Sequence, residues 1–309
     1  MAHNPGQHSQ HEVQVRVSRP FIARHPHLAL ISLILIWGVG YPIMKVGLAY
    51  CPPLLFAGLR AVGGGLLLTA LALRHDGRPD LAGTWPALLV SALFNVLLFF
   101  GLSTLSVQLL PAGIASVVLY LQPVFIAGLA HVWLGERLTR TKMAGLLLGL
   151  GGVAAIMVQG MEGTLSPSGL AYGVGSAAAW ALGTVAFKRA APRSILWFIA
   201  LPFLLGGLLI VAAGLAVGER WADIAWTPTF LLVLAYGAAV GLALSWTLWL
   251  ALVAAGEASR MAGNTFLVPL VSVAAGTLFL GEPLTAMLAV GGLAVMAGVY
   301  LVNRPALAG

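Results

Sequence analysis

The sequence predicts an all-α membrane protein in which ten transmembrane helices form two inverted five-helix repeats around a central cavity. Three observations lead to this fold. Hydrophobic residues make up 60% of the 309-residue chain and charged residues only 8%. Two similar proline-containing stretches lie 146 residues apart. Basic residues concentrate in every second connection between the apolar runs.

The low charge content places the chain among membrane proteins, because soluble domains carry about 25% charged residues. Crossing a bilayer takes roughly 20 apolar residues. The 309 residues therefore allow about ten spans and leave no room for a large soluble domain. The apolar runs predict helices at 28–49, 53–73, 84–106, 111–134, 139–159, 167–189, 194–217, 227–254, 257–280 and 284–302.

The two ends of the chain are polar and frame the apolar region. Residues 1–26 lack periodicity and predict a disordered cytoplasmic tail, whose histidines have no fixed geometry for a metal site. The first repeat is expected at 27–160, the second at 161–303, and a short cytoplasmic tail at 304–309. The single Cys51 excludes a disulfide within the chain and a multi-cysteine metal cluster, and it is interpreted as a packing residue.

The repeat is visible in two stretches of similar sequence. Residues 119–125 read LYLQPVF and lead to GERLT at 135–139, while FLVPL at 266–270 leads to GEPLT at 281–285. Pro123 therefore corresponds to Pro269, and Glu136 to Glu282. A proline removes one helical hydrogen bond and kinks the axis. Helices broken at matching places in two halves point to the central site of a transporter, so both prolines are candidate hinges.

The distribution of basic residues predicts how the chain is oriented. With the N-terminus inside, thirteen of the sixteen Lys and Arg residues fall on the cytoplasmic side, and Arg220 alone lies outside. This asymmetry predicts that both termini are cytoplasmic. Five helices per half is an odd number, so the second half is expected to be inverted relative to the first. Inverted halves can exchange conformations, which opens a site near the membrane midplane to either side in turn.

The net charge of +7 does not indicate nucleic-acid binding, because the basic residues lie at the ends of apolar runs and form no stripe. The expected partners are the lipid bilayer and a small-molecule substrate, and no cofactor is predicted. Small-x3-small faces such as Gly145-x3-Gly149 indicate tight helix packing first and dimerisation second. A monomer and a homodimer therefore both remain open.

Polar and aromatic residues inside the apolar runs are the candidates for lining the cavity and binding the substrate. They are Trp37, Tyr41, Asn95, Phe99, Tyr120, Gln122, Trp180, Trp246 and Asn264. Side-chain amides in hydrocarbon need hydrogen-bond partners, so the two asparagines and the glutamine are expected to face protein or water. Whether they bond to the substrate or brace one helix against another stays open at this point.

Five charged residues are candidates for gating: Lys45, Arg60, Glu136, Lys188 and Glu282. One hypothesis pairs Glu282 with Lys45 or Arg60 when the outside is closed, and Glu136 with Lys188 or Arg189 when the inside is closed. Arg60 could instead pack in the protein or snorkel to the headgroups, since it lies roughly 10 Å into its helix. Each glutamate could also stabilise the N-terminus of the helix that follows it, by ~0.3–1 kcal/mol.

No acidic residue falls inside an apolar run. Proton- and sodium-coupled carriers often use a buried carboxylate as the titrating or ligating group. Facilitated movement of the solute down its own gradient is therefore one possible mechanism. Transport coupled through the membrane potential, Lys45 or His131 is another.

Several motifs together resemble one known family. Trp37-Gly38 starts helix 1 with Lys45 eight residues after the tryptophan, Arg60 lies in helix 2, and helices 4 and 9 are kinked by proline and end in G-E-x-L-T. In this the chain resembles the drug/metabolite transporter superfamily, in its bacterial ten-helix form with two EamA repeats, over residues 28–302. The second half departs from the pattern, because Trp180-Ala181 replaces Trp-Gly and helix 7 has no arginine matching Arg60.

The resemblance implies a central cavity in a protein of the bacterial cytoplasmic membrane, and commonly efflux of amino acids or other small metabolites. The sequence leaves open a permease for another solute class, such as nucleosides, drugs or sugar conjugates. A membrane scaffold or a membrane-embedded enzyme is the remaining alternative. An enzyme is not expected, because no nucleophile, base or set of metal ligands converges within the helices.

Overall fold

The computed structural model describes residues 25–79, 83–159, 166–280 and 286–303, and the regular elements in these ranges are helices. The longer helices are α1 (Pro26–Gly47), α2 (Pro53–His75), α3 (Trp85–Leu109), α4 (Ala112–Leu119), α5 (Gln122–Leu134), α6 (Arg140–Gln159), α7 (Pro167–Ala190), α8 (Ile195–Ala216), α9 (Pro228–Ala255), α10 (Ala258–Asn264), α11 (Leu267–Leu280) and α12 (Ala286–Asn303). A short 3₁₀ turn spans Trp221–Asp223. Almost all of the predicted tail at 1–26 and all of that at 304–309 lie outside the described residues.

In the part of the chain that the structure describes, seven helical stretches are long and apolar enough to cross a bilayer, counting Ala258–Phe279 as one continuous stretch. Large apolar side chains on their outer faces are exposed, for example Leu66 (59%), Leu208 (58%) and Leu232 (73%). Such a surface is suited to lipid, because hydrocarbon tails are as apolar as leucine. The chain is a multi-pass membrane protein.

Local sequence explains where several helices begin. Proline occupies the first turn of α2, α7 and α9, where its missing N–H would have no helical partner. Three hydroxyl side chains cap helices: Ser166 accepts from the Gly169 N–H, Ser194 from that of Trp197, and Thr227 from that of Phe230.

Two helices predicted as continuous and kinked are in fact broken. The predicted range 111–134 is divided into α4 and α5 at Tyr120 and Leu121, and the range 257–280 into α10 and α11 at Thr265 and Phe266. Pro123 lies in the first turn of α5 and Pro269 in the first turn of α11. Backbone N–H groups in the first turn have no partner within the helix, so a proline there removes no helical hydrogen bond. The prolines therefore start new helices and do not bend existing ones, which the sequence analysis did not anticipate.

Two helices contain π-helical segments that hydropathy does not reveal. In α3 the segment is Ala92–Leu98, and in α9 it is Gly237–Leu244. Such insertions widen the helix locally and often occur at functional sites. Here they lie next to residues that line the central cavity, because Phe99 and Phe100 follow the first segment and Gly237, Gly241 and Leu242 belong to the second.

The helices pack most extensively in two pairs, α2 against α8 and α6 against α12. Glycines allow the second pair to approach closely. A Cβ added at Gly145 would lie 2.7 Å from the carbonyl oxygen of Gly298, and one at Gly298 would lie 2.6 Å from that of Gly145. The Gly145-x3-Gly149 face therefore packs inside the chain, in agreement with the first of its two interpretations.

Candidate functional site

A cavity lies between α1, α2, α3, α7 and α9 and also contacts the helix break that follows α4. Its volume is about 90 Å³, measured as the space open to the centre of a water molecule. By this measure one water needs roughly 10–15 Å³, so the cavity has room for a small solute or several waters. Six of the predicted substrate-binding residues line it: Trp37, Tyr41, Phe99, Tyr120, Trp180 and Trp246.

Aromatic rings form one wall of the cavity, and Trp180 is at its centre. The Trp180 ring centroid lies 4.8 Å from that of Phe99, 5.1 Å from Trp37 and 6.0 Å from Trp246. We call these four residues the aromatic wall. Several of these contacts are edge-on or tilted, an arrangement that aromatic pairs favour.

Trp249 supports the aromatic wall from behind and was missed by the sequence analysis. Its ring is fully buried and lies 5.6 Å from Trp180 and 5.7 Å from Trp37. Residues three apart share a helix face, so the spacing of Trp246 and Trp249 was the signal that could have identified it.

The polar groups of the cavity are few. Arg60 is 9% exposed, donates from Nη2 to Thr104 Oγ1 at 3.2 Å, and places its guanidinium carbon 4.6 Å from the Phe56 ring centroid. The hydroxyls of Tyr41 and Tyr120 are hydrogen-bonded to each other. Arg60 therefore packs inside the protein beside the cavity, and the interpretation that it snorkels to the headgroups is wrong.

The three predicted amides do not line the cavity; they lie between helices. Asn95 Nδ2 donates to Ser91 Oγ at 3.3 Å, and its side chain fills the space left by Gly183, where a Cβ would lie 2.1 Å from Asn95 Oδ1. Gln122 Nε2 donates to Thr265 Oγ1 at 3.0 Å and so joins the two helix breaks. Asn264 is buried at the end of α10. Of the two alternatives for these amides, the geometry favours bracing.

One end of the helix bundle is closed around Glu136. This Glu136 end is formed by the connections 76–79, 135–139, 191–194 and 256–257. The Glu136 carboxylate accepts from Lys188 Nζ at 3.2 Å and from the backbone N–H groups of Ala258 at 2.9 Å and Ser259 at 3.2 Å. It also accepts from the hydroxyl of Ser259.

The expectation that Glu136 stabilises the helix following it in sequence is wrong. That helix is α6, whereas the N–H groups bound by the carboxylate belong to the first turn of α10. The chain turns back at Gly135, which has a left-handed conformation with φ of 68°. The carboxylate is thereby directed across to the other half of the chain. It does stabilise the positive end of a helix, but one 122 residues away.

The environment of Glu136 favours its charged form. Burial acts to raise the pKa of the carboxyl, but the hydrogen bond from Ser259, the backbone bond from Ala258 and the charge of Lys188 together lower the pKa below its ordinary value. The Glu136 carboxylate is therefore charged at neutral pH. Within the described ranges, no group of three His, Cys, Asp or Glu side chains could hold a metal ion.

Three further hydrogen bonds tie the Glu136 end together. Lys142 Nζ donates to Glu257 Oε2 at 2.9 Å and to Ser259 Oγ at 2.8 Å. Lys188 Nζ also donates to the carbonyl of Gly256. Lys142 and Lys188 thus both bind the start of the α10 segment.

The opposite end, which we call the Glu219 end, comprises the connections 48–52, 110–111 and 217–227. Lys45 Nζ donates there to the carbonyls of Val107 at 2.8 Å and Leu110 at 3.0 Å. Glu219 accepts from the N–H groups of Leu54 at 3.0 Å and Leu55 at 2.7 Å, at the start of α2. The predicted gate partner Glu282 lies outside the described residues.

Comparison with known sequences decides the family. The profile of the EamA-like transporter family matches the chain twice, at residues 26–158 and 167–304. The chain belongs to this family. The resemblance to the drug/metabolite transporter superfamily that the motifs indicated is thereby confirmed.

Individual relatives cover nearly the whole EamA chain. A Bacillus subtilis protein named uncharacterized transporter YvbV is 42% identical over 277 residues, which cover 89% of this chain and 90% of the relative. A Salmonella typhimurium protein named probable amino-acid metabolite efflux pump is 32% identical, covering 89% and 93%. A crystal structure with 22% identity superposes with a TM-score of 0.72 over 89% of this chain and 95% of the other, so the two share a fold.

Proposed function

We propose that this EamA protein exports amino acids or related small metabolites across the bacterial cytoplasmic membrane by alternating access. In this proposal ten transmembrane helices form two inverted five-helix halves. The observation that carries it is a single cavity that is lined both by α1–α4 and by α7 and α9. On one side of this cavity, at the Glu136 end, the bundle is closed. Carriers built from inverted repeats place their substrate site at such an interface.

Features that recur in the two halves support the inverted repeat. The π-helical segments begin at Ala92 and Gly237, and the helix breaks follow Leu119 and Asn264. Contacts at the two ends correspond as well. Lys45 donates to the Leu110 carbonyl at the Glu219 end, and Lys188, which also lies eight residues after a tryptophan, donates to the Gly256 carbonyl at the Glu136 end. Equivalent contacts at opposite ends are expected of two inverted copies.

The position of the cavity supports a conformation closed on one side. From α2 the lining residues are Phe56 and Arg60, near the helix start, and from α9 they run from Val233 to Trp246. Phe56 and Arg60 lie nearer the Glu219 end, whereas Trp246 lies past the middle of α9, so the cavity extends from the half nearer the Glu219 end to the middle of the bundle. The contacts of Glu136, Lys142 and Lys188 close the other end. We assign the Glu136 end to the cytoplasm, because the basic connections cluster there.

We propose Glu282 as the counterpart of Glu136 in the gate of the Glu219 end, with Lys45 as its partner. The support is the equivalence of Glu136 with Glu282 in the G-E-x-L-T motifs and of Lys188 with Lys45. Arg60 is the less suitable partner, because it has no equivalent at the Glu136 end. Charge reversal at Glu282 should greatly reduce transport, and unchanged transport in that variant would exclude the gate.

The substrate class rests on two kinds of support. Relatives from Salmonella typhimurium and Escherichia coli, 32% and 28% identical, are named probable amino-acid metabolite efflux pumps. The cavity combines an aromatic wall with a few polar groups, which suits a small solute with an apolar body. A permease for nucleosides, drugs or sugar conjugates is the alternative.

Flux of radiolabelled solutes into liposomes containing the purified protein tests the proposal. The panel should hold apolar, aromatic and charged amino acids together with a nucleoside and a sugar conjugate. Saturable flux of one or more amino acids, absent from empty liposomes, is the expected result. Flux confined to the nucleoside or the sugar conjugate would favour the alternative permease, and no flux of any solute would contradict a transport function.

A further inference from the structure

We propose that Arg60 is the binding group for a carboxylate of the transported solute. The inference deepens the proposed function and rests on it, because it assigns the charge and orientation of the solute in the same cavity.

Arg60 has more hydrogen-bond donors than acceptors around it. A guanidinium carries five N–H groups in a planar fork. Nη2 donates to Thr104 Oγ1, whereas Nε is buried and has no acceptor among the described residues. The side chain is 9% exposed, yet it lines the cavity. A buried donor without a partner is costly, and an acceptor that enters the cavity would satisfy it.

The described part of the chain supplies no carboxylate for this guanidinium, because each of its acids is engaged elsewhere. Asp76 accepts from Ser194, Glu136 pairs with Lys188, Glu219 binds the N–H groups of Leu54 and Leu55, Asp223 pairs with Arg220, and Glu257 pairs with Lys142. Among the described residues, therefore, no carboxylate compensates the positive charge that Arg60 brings to the cavity. Such a charge attracts an anionic solute through the low-dielectric surroundings.

The guanidinium is held in place before any solute arrives. The Phe56 ring lies beneath it at 4.6 Å, in cation–π contact. On the other side, Gly237 leaves room for the arginine stem, since a Cβ there would lie 2.6 Å from Arg60 Cδ. Gly237 begins the π-helical segment of α9. A binding group ordered in advance loses little entropy on binding, which favours a selective site.

The cavity around Arg60 indicates what kind of anion fits. A guanidinium binds a planar carboxylate through two parallel hydrogen bonds. Lining residues other than Arg60 are apolar, aromatic or uncharged polar, and the aromatic wall includes Trp180 and Trp246. A volume of about 90 Å³ favours a compact solute. The solute is therefore a small carboxylate with an apolar body, its carboxylate toward the Glu219 end and its body on the aromatic wall.

A comparison of matched solutes tests the assignment in the wild-type protein. Leucine and phenylalanine are compared with their amides, which keep the amino group and the apolar body but lack the carboxylate. The protein is reconstituted in liposomes, and binding is followed in parallel by intrinsic tryptophan fluorescence, to which the tryptophans of the aromatic wall contribute. The transported amino acid is expected to bind about ten- to a hundredfold more tightly than its amide, as for a hydrogen-bonded charge.

Variants then link the preference to Arg60. Arg60→Gln should raise the KM of the amino acid about ten- to a hundredfold and leave that of the amide nearly unchanged. Arg60→Lys keeps the positive charge but not the planar fork of N–H groups, so its KM for the amino acid should lie between those of wild type and Arg60→Gln. The control is Arg220→Gln, since Arg220 is 74% exposed, pairs with Asp223 and does not line the cavity. It should behave as wild type toward both solutes.

The outcomes separate this inference from the proposed function. If amino acid and amide are transported equally well and Arg60→Gln changes neither, the carboxylate assignment is wrong while the exporter stands. If a phosphonate analogue competes more strongly than the carboxylate, the assignment to carboxylate is overturned. If neither these amino acids nor any other in the panel shows flux, the proposed function itself fails. Should Arg60→Gln not fold, the comparison in the wild type still decides.

Discussion

Glu136 and Lys188 lie 52 residues apart in the sequence and form an ion pair of 3.2 Å across the two halves of the chain. The Glu136 side chain is 10% exposed and that of Lys188 24%. The same carboxylate also binds two N–H groups in the first turn of α10, so a single side chain fixes α5, α7 and α10 relative to one another. This contact is a central one among those that close the Glu136 end.

Replacing Glu136 by glutamine should loosen that end. The amide loses its charge toward Lys188 and accepts more weakly from the N–H groups of Ala258 and Ser259, at a cost of about 1–3 kcal/mol. We expect a roughly tenfold or greater increase in labelling of a cysteine placed at Ser103 in the cavity, when the reagent is added at the Glu136 end. The measurement is the rate of reaction with a membrane-impermeant maleimide.

Two control variants make this result specific. Glu257→Gln removes an acid at the same end whose side chain is 52% exposed, so its loss should change labelling little. Exchange of the charges by Glu136→Lys with Lys188→Glu should not restore closure, because a lysine cannot accept from the α10 N–H groups. Full restoration by the exchange would show that only the ion pair matters.

The pH dependence of this contact follows from the lowered pKa of Glu136. The charged form of Glu136 is favoured in the folded protein. The carboxylate therefore contributes fully to folding stability above the ordinary glutamate pKa of about 4.3, and this contribution is lost as the pH falls below that value. The difference in thermal stability between wild type and Glu136→Gln should be constant from about pH 5.5 to 8 and shrink at more acidic pH. If the stability difference between wild type and Glu136→Gln changed between pH 6 and 8, the conclusion that the folded protein lowers the pKa of Glu136 would be contradicted.

The close approach of α6 and α12 predicts an unequal response of two glycines in one helix. A Cβ at Gly145 would meet the Gly298 carbonyl at 2.7 Å, whereas one at Gly151 has nothing within 4 Å. Gly145→Ala should destabilise the protein by about 1–3 kcal/mol. Gly151→Ala should be neutral or stabilising by up to about 1 kcal/mol. Thermal unfolding in detergent measures both, and equal effects would mean that the helices do not touch at Gly145.

The sequence predicts the helix positions well because apolar length and flanking polar residues are local properties. The predicted range 194–217 corresponds to Ile195–Ala216, and the range 53–73 to Pro53–His75. The aromatic members of the cavity were also identifiable. A tryptophan or tyrosine deep in an apolar run carries a polar atom, and such residues favour protein surroundings over lipid.

The sequence does not reveal which face of a helix meets the cavity. Lipid is as apolar as a protein core, so hydropathy does not distinguish the two surfaces. Asn95 and Gln122 were therefore grouped with the cavity residues although they brace helices. The ion pair of Glu136 with Lys188 was among the predicted contacts, whereas its backbone partner in α10 was missed for another reason: Ala258 lies 122 residues away, and the contact exists only after the halves have associated.

The central claim is that one cavity shared by the two halves opens to each side of the membrane in turn. It is tested most directly by the accessibility of a cysteine in place of Ser103, which lines the cavity, in a Cys51→Ala background. Impermeant maleimide is applied to one face at a time of proteoliposomes with known orientation. We expect labelling from both faces and protection by a transported amino acid. Labelling from one face only, while transport continues, would contradict alternating access through this cavity.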